Sequence, residues 1–228
     1  MGRYVKNTIL DVLMATVAPH YCCGCGKTGT LLCDNCKYNI TNESYDGCVA
    51  CGRATTKGVC ADCKTAYNRA WCVGERDDAL KVLIDGYKFS RKKASASKLA
   101  LLLHHQVAVL PPSTIVTAVP TVGHHIRMRG YDHAELLAKE FARLRGLHFQ
   151  RTLYRTTKTR QRGANRTTRL AQAKTAFAPI GQVQTTVPYL LVDDVVTTGA
   201  SLHYAAQTLR NAGATEVWVA VVARQPLK

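Results

Sequence analysis

Two groups of residues in this chain have the types and spacing to do chemistry. The first is a run of four C-x-x-C pairs, Cys22/Cys25, Cys33/Cys36, Cys48/Cys51 and Cys60/Cys63, with Cys23 and Cys72 left over; all ten cysteines lie between positions 22 and 72 of 228 residues. A C-x-x-C turn aims two thiolates at one ion, and a second pair closes a tetrahedron around zinc at about 2.3 Å with no open position. Disulfides and thioredoxin-like redox pairs are the other uses of such cysteines, but spacing and context favour two structural zinc sites. Gly26 and Gly52 follow the second cysteines of two pairs, where a tight knuckle needs a residue tolerant of positive φ. The expected arrangement is two knuckle-plus-turn modules in series, residues 22 to 36 and 48 to 63, with cross-bracing as the alternative. So short a segment has few large apolar residues, so metal binding would supply the folding free energy.

The second group is Tyr189-Leu-Leu-Val-Asp-Asp-Val-Val-Thr-Thr-Gly-Ala-Ser201. An apolar strand ends in two carboxylates, Asp193 and Asp194, and a turn rich in hydroxyls and glycine then opens a helix. Acids at a strand's carboxyl end sit where open α/β sheets bind ligands. Thr197, Thr198, Gly199, Ala200 and Ser201 offer hydroxyls, backbone N–H groups and a helix N-terminus to one phosphate. Acids beside a phosphate cradle suit a sugar phosphate, with carboxylates on the ribose hydroxyls and the turn on the 5-phosphate.

The elements that would position these groups follow from hydrophobic pattern. Hydrophobic residues at 46% and charged residues at 20% describe a folded globular chain rather than a disordered or low-complexity one. The nearly apolar stretches 9–19 and 99–112 are too short to span a bilayer, which takes roughly 20 residues. The segment 1–18 reads as an amphipathic helix of a cytoplasmic protein, since Asp11 interrupts its apolar part. Beyond residue 112, β-branched runs alternate with helical stretches, the pattern of a parallel sheet covered by helices. Strands are expected at Thr114 to Val119, His148 to Tyr154, Tyr189 to Val195 and Glu216 to Val222. One helix is expected from a cap at Asp132 to Gly146, and another from Ala200 to Ala212. Ala79 to Phe89 and Ala96 to Val109 read as helices of a subdomain covering one end of the sheet. The expected domains are 1–70, the N-terminal helix with the zinc modules, and 71–228, made of a covering part (71–112) and a core (113–228).

The formal charge of +16 is unevenly spread: residues 113–187 carry 13 basic and 3 acidic side chains. Eight basic residues between Arg151 and Lys174, with no acid among them, are suited either to a nucleic-acid backbone or to a solvated loop.

The Asp-Asp/Thr-Thr-Gly segment resembles the phosphoribosyl pyrophosphate (PRPP) signature of type I phosphoribosyltransferases. Nearly the whole chain resembles the ComF/GntX-like family, in which a cysteine-rich zinc segment precedes a phosphoribosyltransferase-like domain. The resemblance is carried by the C-x-x-C pairs, Tyr87-Lys-Phe89, Val119-Pro120 with Arg127-Met-Arg-Gly-Tyr131, and Arg155…Gln161…Arg169…Phe177. Where members read R-G-F-N-Q, this chain has Arg129-Gly-Tyr-Asp-His133, and Gln172 replaces a usual Asn, which leaves acceptor recognition open. The resemblance implies a type I phosphoribosyltransferase-like α/β fold with a small N-terminal zinc domain. It further implies PRPP bound with Mg²⁺ by Asp193, Asp194 and residues 197–201, with Arg127 and Arg129 on the pyrophosphate and Lys88 as a further cation there. Residues 155–174 correspond to the loop that closes over that site. Their charge also suits single-stranded DNA, with Arg155, Arg160, Arg162, Arg166 and Arg169 on its backbone. Natural transformation, with a DNA-uptake helicase as a partner and no membrane attachment, is the implied setting. A transferase acting on a nitrogenous acceptor, with no DNA role, is the alternative.

Overall fold

The computed structural model describes residues 20–43, 45–89, 94–156 and 176–225. The helix expected over 1–18, the Arg91-Lys92-Lys93 run, and Arg160, Arg162, Arg166 and Arg169 lie outside the described residues.

The helices and strands, in chain order, are α1 (Asp34–Asn42), β1 (Arg69–Glu75), α2 (Asp78–Phe89), α3 (Ser95–Gln106), β2 (Ile115–Ala118), α4 (Gly123–Arg129), α5 (His133–Arg145), β3 (His148–Phe149), β4 (Leu153–Arg155), β5 (Phe177–Pro179), β6 (Tyr189–Val196), α6 (Ala200–Asn211) and β7 (Val217–Arg224). Five strands form a parallel sheet in the order β1-β7-β6-β2-β3. The fold is therefore a helix-flanked parallel sheet preceded by a cysteine-rich segment. No helix among the described residues is long and apolar enough to cross a membrane.

Strands buried on both faces read as continuous apolar runs, as β6 and β7 do, and their period of two sorts side chains onto two cores. Leu190 and Val192 of β6 and Ala220 and Val222 of β7 face one core, together with Leu83 and Ile84 of α2, Leu99, Leu102 and Leu103 of α3, and Leu137 and Phe141 of α5. Tyr189 and Leu191 of β6 and Val217, Val219 and Val221 of β7 face the other, under Leu202, Ala205, Ala206 and Leu209 of α6. Thus α2 and α3 cover one face of the sheet rather than one end. Helix α3 packs against β1 and β7, and α2 packs against α3.

The segment read as one strand, His148 to Tyr154, is two. β3 pairs with β2, whereas β4 pairs antiparallel with β5 in a separate hairpin. Between them Thr152 is buried and its hydroxyl donates to Thr117 Oγ1 at 2.9 Å, which turns the chain away from the sheet edge.

The cysteine modules flank the sheet on opposite sides. Leu31 and Leu32 of the first join the core under α2 and α3, while Val49 of the second, with Tyr67, joins the core under α6. Strand β1 runs across the expected 70/71 boundary and is stitched to the second module: Ala70 N–H donates to Lys57 O at 3.0 Å. At Gly58, with φ +69°, a Cβ would fall 2.0 Å from Ala70 O, so only glycine permits this approach.

Candidate functional site

The two cysteine modules are in series, not cross-braced. Cys22, Cys25, Cys33 and Cys36 form one group and Cys48, Cys51, Cys60 and Cys63 the other, with the sulfurs of each group within 4.8 Å of one another. Sγ separations of 3.7 Å (Cys25 to Cys33), 3.8 Å (Cys48 to Cys63) and 3.6 Å (Cys51 to Cys60) match the edge of a ZnS₄ tetrahedron, about 3.8 Å for 2.3 Å bonds. All ten cysteines are unbridged. Burial opposes ionisation of Cys22, but N–H groups of Cys25, Cys33 and Gly24 aimed at its sulfur bring the thiol down to about 6. In the second group, hydrogen bonding from Cys63 brings Cys60 to about 7. Each group therefore begins ionisation easily, and a metal completes it. These are two structural zinc sites.

The second site lies where the strand order of the sheet reverses. From β2 the chain crosses through α5 to β3 on one side, and from β6 it crosses through α6 to β7 on the other, so the carboxyl ends of adjacent β2 and β6 flank a topological switch point. Side-chain alternation along β6 then aims its two acids apart. Asp194 shares the parity of Leu190 and Val192 and enters the face covered by α2 and α5; Asp193 shares the parity of Leu191.

Asp194 is 2% exposed. Lys88 Nζ from the end of α2 lies 2.8 Å from its Oδ1, and His133 Nε2 from the start of α5 lies 3.1 Å from its Oδ2. The histidine's approach is not aligned for hydrogen bonding, and Oδ2 is a buried oxygen without a hydrogen bond. Arg129 Nη1 stands 2.7 Å from His133 Nδ1. A guanidinium can only donate, so Nδ1 accepts and the proton of the neutral ring sits on Nε2, toward Asp194. Burial holds the His133 pKa below its ordinary value; the Asp194 carboxylate works against this, and Arg129 and Lys88 work with it. Asp193 Oδ1 accepts from Asp194 N–H at 2.8 Å, and its pKa is pushed well above the carboxylate range by burial and by the neighbouring Asp194 charge.

Two motifs that are remote in sequence hold this cluster in place. The Tyr87 hydroxyl donates to His133 O at 2.6 Å, the Tyr131 hydroxyl donates to Tyr87 O, and the Arg129 guanidinium lies 5.6 Å above the Phe89 ring. Every residue of Tyr87-Lys88-Phe89 thus touches the acid or the Arg129–His133 segment. Asp132 caps α5 by accepting from Glu135 N–H at 3.2 Å, and Thr121 Oγ1 donates to the same carboxylate at 2.8 Å, which fixes the loop after β2.

Gly199, with φ +72°, starts α6 and makes no side-chain cap. The N–H groups of Ala200, Ser201 and Leu202 face outward, as at any helix start, beside the exposed side chains of Thr197, Thr198 and Ser201. The anticipated acids, Lys88, Arg129 and the 197–201 loop therefore converge on the switch point. Arg127 instead lies on the exposed side of α4, with Nη1 3.5 Å from where a Gly123 Cβ would be. Arg155 rests 5.1 Å over the Phe177 ring on the β4–β5 hairpin. His125 is held below its ordinary pKa by burial and then by the charges of Arg129, His124, Lys88 and Arg155, which marks the positive field on this rim.

His133 is the site residue to which sequence reasoning gave no role. Its signal was a departure from the R-G-F-N-Q pattern, four residues after Arg129 and directly after the helix cap. With Asp193 and Asp194 it presents three ligand atoms within 4.8 Å of one another. The hydrogen-bond-free Oδ2 of Asp194 fits a cation or a hydroxyl donor.

A family model described as phosphoribosyl transferase domain matches residues 126–228. Competence protein F of Haemophilus influenzae is 28% identical over 85% of this chain and 90% of its own length. The DNA utilization protein YhgH of Escherichia coli strain K12 is 31% identical over 86% of each chain. Among solved structures, the allosteric regulatory enzyme of purine biosynthesis aligns with 57% of this chain at 22% identity and a TM-score of 0.42, and this chain spans 25% of that one.

Proposed function

Because the chain belongs to the family of competence protein F and the DNA utilization protein YhgH, with a phosphoribosyltransferase-type domain, we propose that it binds PRPP with Mg²⁺ and acts on single-stranded DNA during DNA uptake. The observation that carries the sugar-phosphate reading is the pairing at one strand end of a buried Asp194, held by Lys88, with an open helix start at Gly199.

In this reading the ribose hydroxyls donate to Asp193 and Asp194, and the N–H groups of Ala200, Ser201 and Leu202 hold the 5-phosphate. Lys88 exchanges Asp194 for the pyrophosphate, joined by Arg129, and the two cations offset charge on the leaving group. Mg²⁺ supplies further charge neutralisation when bound. His133 stays neutral and keeps Arg129 aimed across the site. Arg127, already exposed, meets the far end of the pyrophosphate. The basic residues 155–174 carry either the DNA contact or the closure of the site, and a helicase of DNA uptake is the proposed protein partner.

Calorimetry of PRPP with Mg²⁺ tests binding, and pyrophosphate release over a nucleobase panel, with and without single-stranded DNA, tests turnover. Release lost in Asp194→Asn identifies a transferase. Tight binding without release in any condition identifies PRPP as a regulatory ligand of a DNA-handling protein. Absence of binding overturns the reading.

A further inference from the structure

The second cysteine module touches the loop expected to hold the phosphate. A Cβ built on Gly199 would lie 3.1 Å from Ala50 Cβ and 3.3 Å from Ala50 Cα, so the loop backbone rests on the knuckle between Cys48 and Cys51. The same point is 3.8 Å from Tyr67 Oη. Tyr67 is 3% exposed, and its hydroxyl has no hydrogen-bond partner. Beneath the knuckle, Val49 is fully buried in the core that also takes Val196 and Leu202, the residues flanking the loop on either side. The ends of the two long strands join the same unit: Gln225 N–H donates to Val196 O at 2.8 Å, and the Arg224 guanidinium would lie 3.0 Å from a Gly52 Cβ. The first module buries Leu31 and Leu32 in the core on the opposite face.

A phosphate cradle made of backbone N–H groups works only if the loop is held to within about 0.5 Å, and neither Gly199 nor Ala200 has a side chain able to lock it. The support must come from behind. A buried hydroxyl without an acceptor is also unfavourable, and Gly199, whose Cβ position lies 3.8 Å from Tyr67 Oη, is the loop residue within its reach.

We propose that the second zinc module is a working wall of the sugar-phosphate site, in which Ala50 is the stop against which Gly199 rests and the Tyr67 hydroxyl donates to the loop backbone when the loop closes on a phosphate. Both are positioning residues, and the proposal rests on the sugar-phosphate reading above. It places a determinant of affinity in the cysteine-rich segment, 130 residues or more before the loop it supports.

The test is calorimetric titration of the zinc-loaded full chain with ribose 5-phosphate, which isolates the loop from the pyrophosphate contacts, alongside thermal unfolding of the free proteins. Tyr67→Phe is expected to leave the free protein's Tm unchanged or raised while weakening binding about 2- to 10-fold, the range of one net hydrogen bond. A purely structural tyrosine would instead lower Tm and leave affinity alone. Ala50→Val should weaken binding about tenfold or more by displacing Gly199, with Ala50→Ser restoring it. Leu32→Val, in the first module, should leave affinity unchanged. Wild-type affinity in both Tyr67→Phe and Ala50→Val overturns the proposal. A wild-type chain that binds PRPP with Mg²⁺ but not ribose 5-phosphate overturns this proposal alone; one that binds neither overturns the sugar-phosphate reading, and this proposal with it.

Discussion

Lys88 Nζ stands 2.8 Å from Asp194 Oδ1, and the two side chains are only 16% and 3% exposed. The pair comes from elements about a hundred residues apart and neutralises an acid that the strand end would otherwise bury alone. Removing one partner of a buried pair leaves the other uncompensated, at a cost of about 3–5 kcal/mol. Lys88→Met should therefore lower Tm by roughly 10 °C. The double variant Lys88→Met with Asp194→Asn should recover much of that loss. Thermal unfolding of the four proteins closes the cycle, and strictly additive shifts would show that the pair is not coupled.

Asp193 is held protonated to a higher pH than a free carboxyl by burial and by the Asp194 charge. A carboxyl whose pKa is raised on folding favours the folded state most below its unfolded pKa, and that contribution is lost as pH rises through the folded value. Asn mimics the neutral form. Asp193→Asn should therefore be more stable than wild type, by a margin that grows between pH 5 and pH 8. Histidines with lowered pKa, His133 among them, act in the opposite sense: their contribution is lost as pH falls below about 6.5. They are common to both proteins, so the difference in Tm at each pH reports Asp193. A constant or shrinking margin would contradict the assignment.

Much of this arrangement was legible in the sequence because its signals are local. The C-x-x-C pairs state their own ligand count, and an apolar run ending in Asp193-Asp194 before Thr-Thr-Gly can only be a strand, turn and helix. What was illegible depends on partners distant in the chain. Strand β1 (Arg69–Glu75) follows the last cysteine pair and reads as the end of the metal segment, because its pairing with β7 is more than 140 residues away. Helix α4 (Gly123–Arg129) is short, begins with glycine and carries no buried residue, so no periodicity announces it. Helix α1 follows Cys33 with no buried apolar stripe, so the knuckle pattern conceals it. His133 stood out only as a departure from a family pattern; its place between Arg129 and Asp194 appears when α5 is laid across the end of β6.

Metal analysis of protein purified without added metal should give two Zn²⁺ per chain. Sulfur separations near 3.7 Å in both groups match the edge of a ZnS₄ tetrahedron. Because Leu31, Leu32 and Val49 belong to the two main cores, chelation should lower the Tm of the whole chain and not of a separate N-terminal unit. Zinc-free protein with disulfide-bonded cysteines would contradict this.

Single-stranded DNA binding should be independent of sequence and weaken steeply with salt, since each neutralised phosphate on a single strand contributes a slope of about 0.7. Replacing Arg160, Arg162 and Arg166 by Ala should reduce the slope of log K against log salt by about 2. Competition between PRPP and DNA would place these residues over the sugar-phosphate site. Titrations unchanged by the triple substitution at two salt concentrations would place the DNA contact elsewhere.

The most direct measurement is calorimetric titration of the zinc-loaded chain with PRPP and Mg²⁺, in wild type and in Asp193→Asn with Asp194→Asn. Wild type should bind at a single site and gain thermal stability with ligand concentration, as mass action requires. The double variant, folded and holding both zinc ions, should show neither heat nor shift. Equal binding by the two proteins would mean that Asp193 and Asp194 at the end of β6 do not hold the sugar, and would contradict the account.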